Sequence, residues 1–111
     1  MALDKSLVSG STTMLLLKLL SEKDMYGYEM IETLRERSCN VFEMKAGTLY
    51  PLLHSLEEKN LLTVYEQEVA GKIRKYYSIT KEGRRLLVQK QEEWTQYSQA
   101  VMNVMNIAVE L

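Results

Sequence analysis

The sequence holds too few cysteines, histidines, prolines and glycines for several common classes of protein. A single cysteine, Cys39, has no partner for an internal disulfide, and a single histidine, His54, cannot complete a zinc site of Cys/His spacing. One proline and five scattered glycines form no linker, and no apolar run approaches the roughly 18 residues that a membrane-spanning helix needs. The first residues also lack the blocks of a signal peptide. We therefore expect one compact cytoplasmic domain of 111 residues, with no metal and no cofactor.

Catalytic motifs are scarce as well. No glycine-rich phosphate-binding loop ending in Gly-Lys-Ser/Thr occurs, which removes support for nucleotide chemistry. The Ser-x-x-Lys pattern from Ser78 to Lys81 lacks the other elements that a serine nucleophile requires. The sequence therefore predicts that the chain is not an enzyme and has no catalytic residues.

An excess of charge of one sign is also missing, since the formal net charge is −1. The basic residues are nevertheless concentrated, because residues 69–85 carry a local charge of +5 and leave −6 for the rest of the chain. A short basic segment on an otherwise acidic protein is typical of an anion-binding surface, although a charge run that serves solubility has the same composition. The basic residues of this segment are Lys72, Arg74, Lys75, Lys81, Arg84 and Arg85.

Apolar residues at helical spacing predict two helices near the start of the chain. The first is capped by Ser11 or Thr12 and ends near Glu22, and the second is capped by Asp24 and ends near Ser38. The first helix is apolar almost all round, except at Lys18, and is expected to be buried.

A connector and a third helix follow. The connector from Cys39 to Met44 is expected to anchor Val41 and Phe42 in the core, and the helix is expected from about Ala46 to Lys59. The buried face of this helix is expected to contain Leu49, Leu52, Leu53 and Leu56.

After Asn60 the pattern changes to β-branched and aromatic residues. Two such stretches flank residues 69–71, which predicts a two-stranded hairpin with Gly71 in the turn. Strand alternation places Tyr77 and Ile79 on one side of the hairpin and Arg74 and Tyr76 on the other.

The last helix is expected to begin after Thr80 as its cap and to continue to the C-terminus, since no helix breaker follows Gly83. Some 30 residues extend about 45 Å, which exceeds the roughly 34 Å diameter of a compact chain of this length. The second half of the helix must overhang the domain, and its apolar heptad seam predicts a homodimer. The predicted dimer contacts are Trp94, Tyr97, Val101, Val104, Met105, Ala108 and Leu111.

These elements predict a mostly α fold with a small β-hairpin. Residues 1–80 would form a winged helix-turn-helix and residues 81–111 a dimerisation helix, with the third helix in the DNA major groove and the hairpin, or wing, along the backbone. The third helix offers no Arg, Asn or Gln, so specificity would come from hydrogen bonds, thymine methyl contacts and DNA shape. Alternatively, Thr48 and Tyr50 only pack the start of the helix. The candidate DNA-binding residues are Lys45, Thr48, Tyr50, Pro51, His54, Ser55, Lys72, Arg74 and Lys75.

Three strings carry a resemblance to a known family: MYGYEM from Met25, GTLYPLLHSLEEKNLL from Gly47, and RKYYSITKEG from Arg74. In this order and spacing they resemble the PadR family of bacterial transcriptional regulators, in its short branch with a single C-terminal helix. The resemblance implies a winged-helix dimer that binds an inverted-repeat operator in double-stranded DNA, represses a neighbouring gene and is released by a small ligand. Two departures are Tyr26, where the family more often has histidine, and the pair Glu66 and Glu68 on the first wing strand. These carboxylates would repel phosphates, so this strand is not expected to face DNA.

Trp94 resembles a tryptophan that, in one branch of that family, lines an open space at the dimer interface and accepts flat aromatic molecules. A planar aromatic or phenolic ligand is therefore expected at Trp94, with Tyr97 at its edge, unless Trp94 is simply buried in the dimer seam. A second interpretation of the whole chain also stays open. Because fold does not determine function, the domain could be a protein-interaction module whose basic wing binds an acidic protein partner.

Overall fold

The computed structural model describes residues 10–107, and within this range the chain forms four helices and three strands. In chain order they are α1 (Thr12–Glu22), β1 (Met25–Tyr26), α2 (Gly27–Arg37), α3 (Ala46–Glu58), β2 (Leu62–Val69), β3 (Lys72–Ile79) and α4 (Lys81–Met105). The strands form one antiparallel sheet in the order β1-β3-β2. The predicted winged-helix fold, mostly α with a small hairpin, is confirmed.

The core lies between the first three helices and the inner face of the sheet. Leucines of α1 and α3 fill it, and Tyr77 of β3 is buried against them. The leucine spacing in α3 explains why one face of that helix is fully buried while the opposite face stays in solvent. No helix of the described chain is long and apolar enough to span a membrane.

The strand β1 changes the predicted start of the second helix. Met25 and Tyr26 pair with Tyr77 and Tyr76 of β3, so α2 begins only at Gly27, and the prediction that Asp24 caps it is wrong. The carboxylate of Asp24 instead accepts a hydrogen bond of 2.7 Å from the hydroxyl of Tyr65 on β2. A strand of two residues shows no periodicity, and it forms here because β3 offers it an edge.

The connector after α2 is anchored by one predicted residue and not by the other. Cys39 and Asn40 both have positive φ, 53° and 67°, and this left-handed turn reverses the chain direction. The turn brings Phe42 onto the core and leaves Val41 53% exposed. The anchoring of Phe42 is confirmed, and that of Val41 is wrong.

The hairpin is confirmed with its turn at Ala70 and Gly71. Both turn residues have positive φ, 53° and 79°, as a two-residue hairpin turn between right-twisted strands requires. Tyr77 and Ile79 pack inward on the core, as predicted. Arg74, which lies opposite Gln67, is on the other face of the hairpin, as predicted.

The helix α4 begins as predicted and ends earlier than predicted. The Thr80 hydroxyl oxygen accepts a hydrogen bond of 3.0 Å from the Gly83 N–H, which confirms the cap. Asn106 takes a left-handed conformation, φ 58°, and the Ile107 N–H donates back to the Met102 carbonyl, so the helix ends at Met105 and the prediction of an uninterrupted helix to the C-terminus is wrong.

Even so, α4 projects beyond the rest of the fold. Its 25 residues extend roughly 37 Å. Its first half packs against α1, and the molecule has extents of 53 × 32 × 25 Å with a radius of gyration of 15.5 Å. The predicted overhang is present.

Candidate nucleic-acid interface

The exposed face of α3 contains most of the predicted DNA-reading residues. Leu49, Leu53 and Leu56 are buried on the opposite face, which leaves four of the predicted residues on the surface. Ser55 is half-buried at the edge of this face. The exposed residues are Lys45, at the N-cap of the helix, Thr48, Pro51 and His54.

Tyr50 occupies a different position from the other predicted reading residues. Its ring is half-buried, packs on the core, and lies so close to Gly27 at the start of α2 that a Cβ there would overlap the phenol. The packing alternative therefore describes Tyr50 and does not describe Thr48, which is exposed.

The wing divides the three predicted phosphate-binding cations between its faces. Lys72 and Arg74 are paired with Val69 and Gln67, whereas Lys75 is paired with Glu66 on the opposite face. Successive side chains in a strand point to opposite faces, so this division follows directly from the strand register. The facing Glu66 carboxylate places a negative charge beside one of the three cations.

The basic segment does not form one continuous patch. Lys81, Arg84 and Arg85 lie at the start of α4, separated from the wing turn by the whole of β3. Eight strand residues at about 3.3 Å each put these groups roughly 26 Å apart. The wing and the start of α4 are therefore two separate basic surfaces.

The ion pairs of residues 10–107 involve cations from α1, α2 and the link between them, and they leave out the wing. Lys18 and Arg37 both pair with Glu22, Lys23 pairs with Glu29 at 2.6 Å, and Arg35 pairs with Glu32. The hydrogen bond from Arg37 lowers the pKa of the Glu22 carboxyl. Within the same range no carboxylate pairs with Lys72, Arg74 or Lys75. Their positive charges remain available to an anion.

Three tyrosines form a row across the outer face of the sheet, one from each strand. Tyr26 of β1 and Tyr65 of β2 both lie opposite Tyr76 of β3 in the strand register. The Arg74 guanidinium lies over the Tyr26 ring, 4.3 Å from its centroid. This cluster was not predicted from the sequence, because it depends on the unpredicted strand β1.

The overhanging part of α4 exposes the residues of its apolar heptad seam, which form an apolar stripe along the helix. Trp94 is 52% exposed, Tyr97 is 69% exposed and Val104 is 85% exposed, and Val101 and Met105 are exposed beside them. The predicted contacts Ala108 and Leu111 lie outside the described residues.

Trp94 also lines a shallow cleft of about 160 Å³ between α4 and the start of α1. Gly10, Met14, Lys90 and Glu93 form the rest of its lining. One wall is therefore apolar, and the other carries a charge of each sign.

Comparison with known proteins agrees with a winged-helix regulator. The family model described as the transcriptional regulator PadR-like family matches residues 16–89. The chain belongs to this family, whose members are DNA-binding transcriptional regulators and not enzymes.

Solved structures of similar proteins have the same fold. A transcriptional regulator from Clostridium thermocellum is 30% identical with a TM-score of 0.85, and the match covers 92% of this chain and 97% of that one. A PadR family regulator from Clostridium difficile R20291 is 38% identical with a TM-score of 0.74, over 86% of this chain and 97% of that one. The transcriptional regulator YqjI of Escherichia coli K12 is 31% identical, and the match covers 76% of this chain and 39% of that protein.

Proposed function

We propose that this protein is a homodimeric repressor that binds an inverted-repeat operator through α3 and the wing. The observation that carries this proposal is the position of the unpaired charges. The exposed face of α3 presents hydrogen-bonding groups, and the wing presents three cations that pair with no carboxylate among residues 10–107. Cations that form no ion pair with a carboxylate are available to neutralise phosphates, while α3 reaches the base edges.

The exposed stripe of α4 supports the homodimer. It continues, at helical spacing, the face that packs against α1, and a helix overhanging in solvent leaves that apolar surface uncovered. A second copy related by a two-fold axis covers both stripes at once, because the same patch meets itself. Two α3 helices then reach half-sites about 34 Å apart, in inverted orientation.

A planar aromatic ligand at the dimer interface is the proposed signal that releases the repressor. The exposed Trp94 ring and the cleft beside it support this part of the proposal, since a flat molecule can stack on an exposed indole. Such a ligand lowers DNA affinity only if it binds more tightly to a dimer whose α3 helices are wrongly spaced.

Selection of bound duplexes from a random pool, followed by footprinting, tests the DNA part. We expect two protected half-sites in inverted orientation, about one helical turn apart. In transcription from a promoter that contains the site, we expect less transcript when the protein is added. Protection without sequence preference, or an increase in transcript, would contradict an operator-binding repressor.

A further inference from the structure

The tyrosine row on the outer face of the sheet is held by ring contacts and, at its Tyr65 end, by a hydrogen bond. Tyr26 meets Tyr76 edge to face, with ring centroids 5.6 Å apart, and Tyr65 stacks on Tyr76 at 5.7 Å. The Tyr65 hydroxyl donates a hydrogen bond of 2.7 Å to Asp24, which directly precedes β1. The row thus links all three strands, and the ring of Tyr26 has a defined position.

Arg74 uses this fixed ring as a support. Its guanidinium lies 4.3 Å from the Tyr26 ring centroid, and the side chain is half-buried. When a planar guanidinium lies over a ring, one face is covered while its N–H groups, which point outward in the plane, remain free to donate.

Two other arginines, which form ion pairs with carboxylates, differ from Arg74 in this respect. Arg35 donates to Glu32 at 2.7 Å, and Arg37 donates to Glu22, so each already uses donors in an intramolecular pair on the protein surface. Arg74 is held in place without a carboxylate partner in the described part of the chain. A held arginine with unused donors is suited to an anion that arrives from outside, and a phosphate matches its fork of N–H groups.

We propose that Tyr26 is a positioning residue for Arg74, holding the guanidinium in its phosphate-binding orientation before DNA arrives. The proposal rests on the proposed function, in which Arg74 contacts a DNA phosphate. A free arginine loses side-chain entropy when it binds, and the contact with Tyr26 restricts Arg74 before binding, so that less entropy remains to be lost. Tyr26 therefore raises DNA affinity without touching DNA.

A double-mutant cycle on a short mixed-sequence duplex tests this. Tyr26→Leu is expected to weaken binding by roughly two- to fivefold for each subunit, the range of an exposed cation–π contact. In the Arg74→Ala background the same Tyr26→Leu change is expected to have no effect. The log-log salt slope should stay at the wild-type value in Tyr26→Leu, because the charge remains, and fall in Arg74→Ala by about 0.9 for each phosphate that is no longer neutralised.

Two further variants separate the effect of the Tyr26 ring on DNA binding from its effect on the stability of the fold. Tyr26→Phe keeps the ring and is expected to bind like the wild type. Arg74→Lys keeps the charge but loses the planar fork, so it is expected to weaken binding without changing the salt slope, and it leaves the tyrosine row intact even if Tyr26→Leu unfolds.

The outcomes distinguish this inference from the proposed function. If Tyr26→Leu lowers DNA affinity equally in the wild-type and the Arg74→Ala background, Tyr26 acts only through the stability of the sheet. That result would overturn the positioning role but leave the proposed contact between the wing and DNA unaffected. Wild-type affinity in Arg74→Lys would overturn it as well. Wild-type affinity and slope in Arg74→Ala would remove Arg74 from the DNA interface, and the inference would fall with it.

Discussion

Tyr50 of α3 packs directly on Gly27 of α2, and the contact is so close that position 27 has no room for a methyl group. The two helices of the helix-turn-helix are held together at this point, at the end of α3 that carries Lys45 and Thr48. Tyr50, one of the residues predicted to contact DNA, therefore packs between the two helices in this structure.

Replacing Gly27 with alanine is expected to destabilise the fold by about 1 to 3 kcal/mol, the usual cost of overpacking. Gly47→Ala is the matched control, because it also lies in the first turn of a helix and its Cβ would meet nothing within 4 Å. That change is expected to be neutral or to stabilise by up to about 1 kcal/mol. Denaturant unfolding of both variants checks the difference, and equal stabilities would contradict the assigned Tyr50 contact.

Removing the charge of Glu66 is expected to strengthen DNA binding. Its carboxylate lies opposite Lys75 in the strand register, and in the proposed complex it would weaken the attraction between that lysine and a phosphate. Glu66→Gln is expected to raise the affinity for duplex DNA by up to roughly fivefold per wing, which corresponds to a cross-strand charge pair of about 1 kcal/mol. Glu92→Gln removes an equal charge from the exposed side of α4 and should leave affinity unchanged. A Glu66 variant that binds no better than the control would show that this face of the wing lies away from DNA.

A charged residue introduced into the apolar stripe of α4 is expected to dissociate the proposed dimer into monomers. Val101→Glu places a carboxylate at its centre, whereas Gln96→Glu places one about 140° around the helix. Sedimentation should find a monomer for the first variant and a dimer for the second, with sequence-selective DNA binding abolished only in the monomer. A stable Val101→Glu dimer would mean that the interface lies elsewhere.

Trp94 is the only tryptophan, so its fluorescence reports directly on the proposed ligand site. Planar dyes and phenolic acids are expected to quench it and to weaken operator binding. Because Trp94→Ala has no tryptophan left to report, its readout is operator binding, which should no longer respond to these compounds while the variant remains dimeric. Stacking adds about 0.5 to 1.5 kcal/mol per ring beyond burial, so two Trp94 rings would raise the affinity for a flat molecule. If Trp94→Ala breaks the dimer and no compound quenches the parent protein, Trp94 belongs to the dimer seam.

The parts of the fold that could be predicted are those with local signals. A glycine between two β-rich stretches predicts the hairpin, and a threonine in a capping position, Thr80, predicts the start of α4. Strand alternation also predicts that Lys72 and Lys75 point to opposite faces of the wing, although both were predicted to bind phosphate as one group.

The remaining features depend on tertiary contacts that leave no local pattern. The strand β1 exists because β3 has a free edge, and Arg74 lies over Tyr26 only because β1 occupies that edge. The close packing of Tyr50 on Gly27 likewise joins two helices, so a tyrosine on a reading helix gives no sign of whether it faces DNA or its neighbour.

The salt dependence of DNA affinity in the triple variant of the wing, Lys72→Ala with Arg74→Ala and Lys75→Ala, tests the central claim most directly. Each phosphate left without its lysine or arginine is expected to lower the log-log slope by about 0.9, and for a dimer with two wings the slope should fall by about 5 in total. The weakening should be the same for every duplex sequence, because phosphate contacts carry no base information. A triple variant that keeps its fold, its dimer and the wild-type slope would contradict DNA binding by the wing.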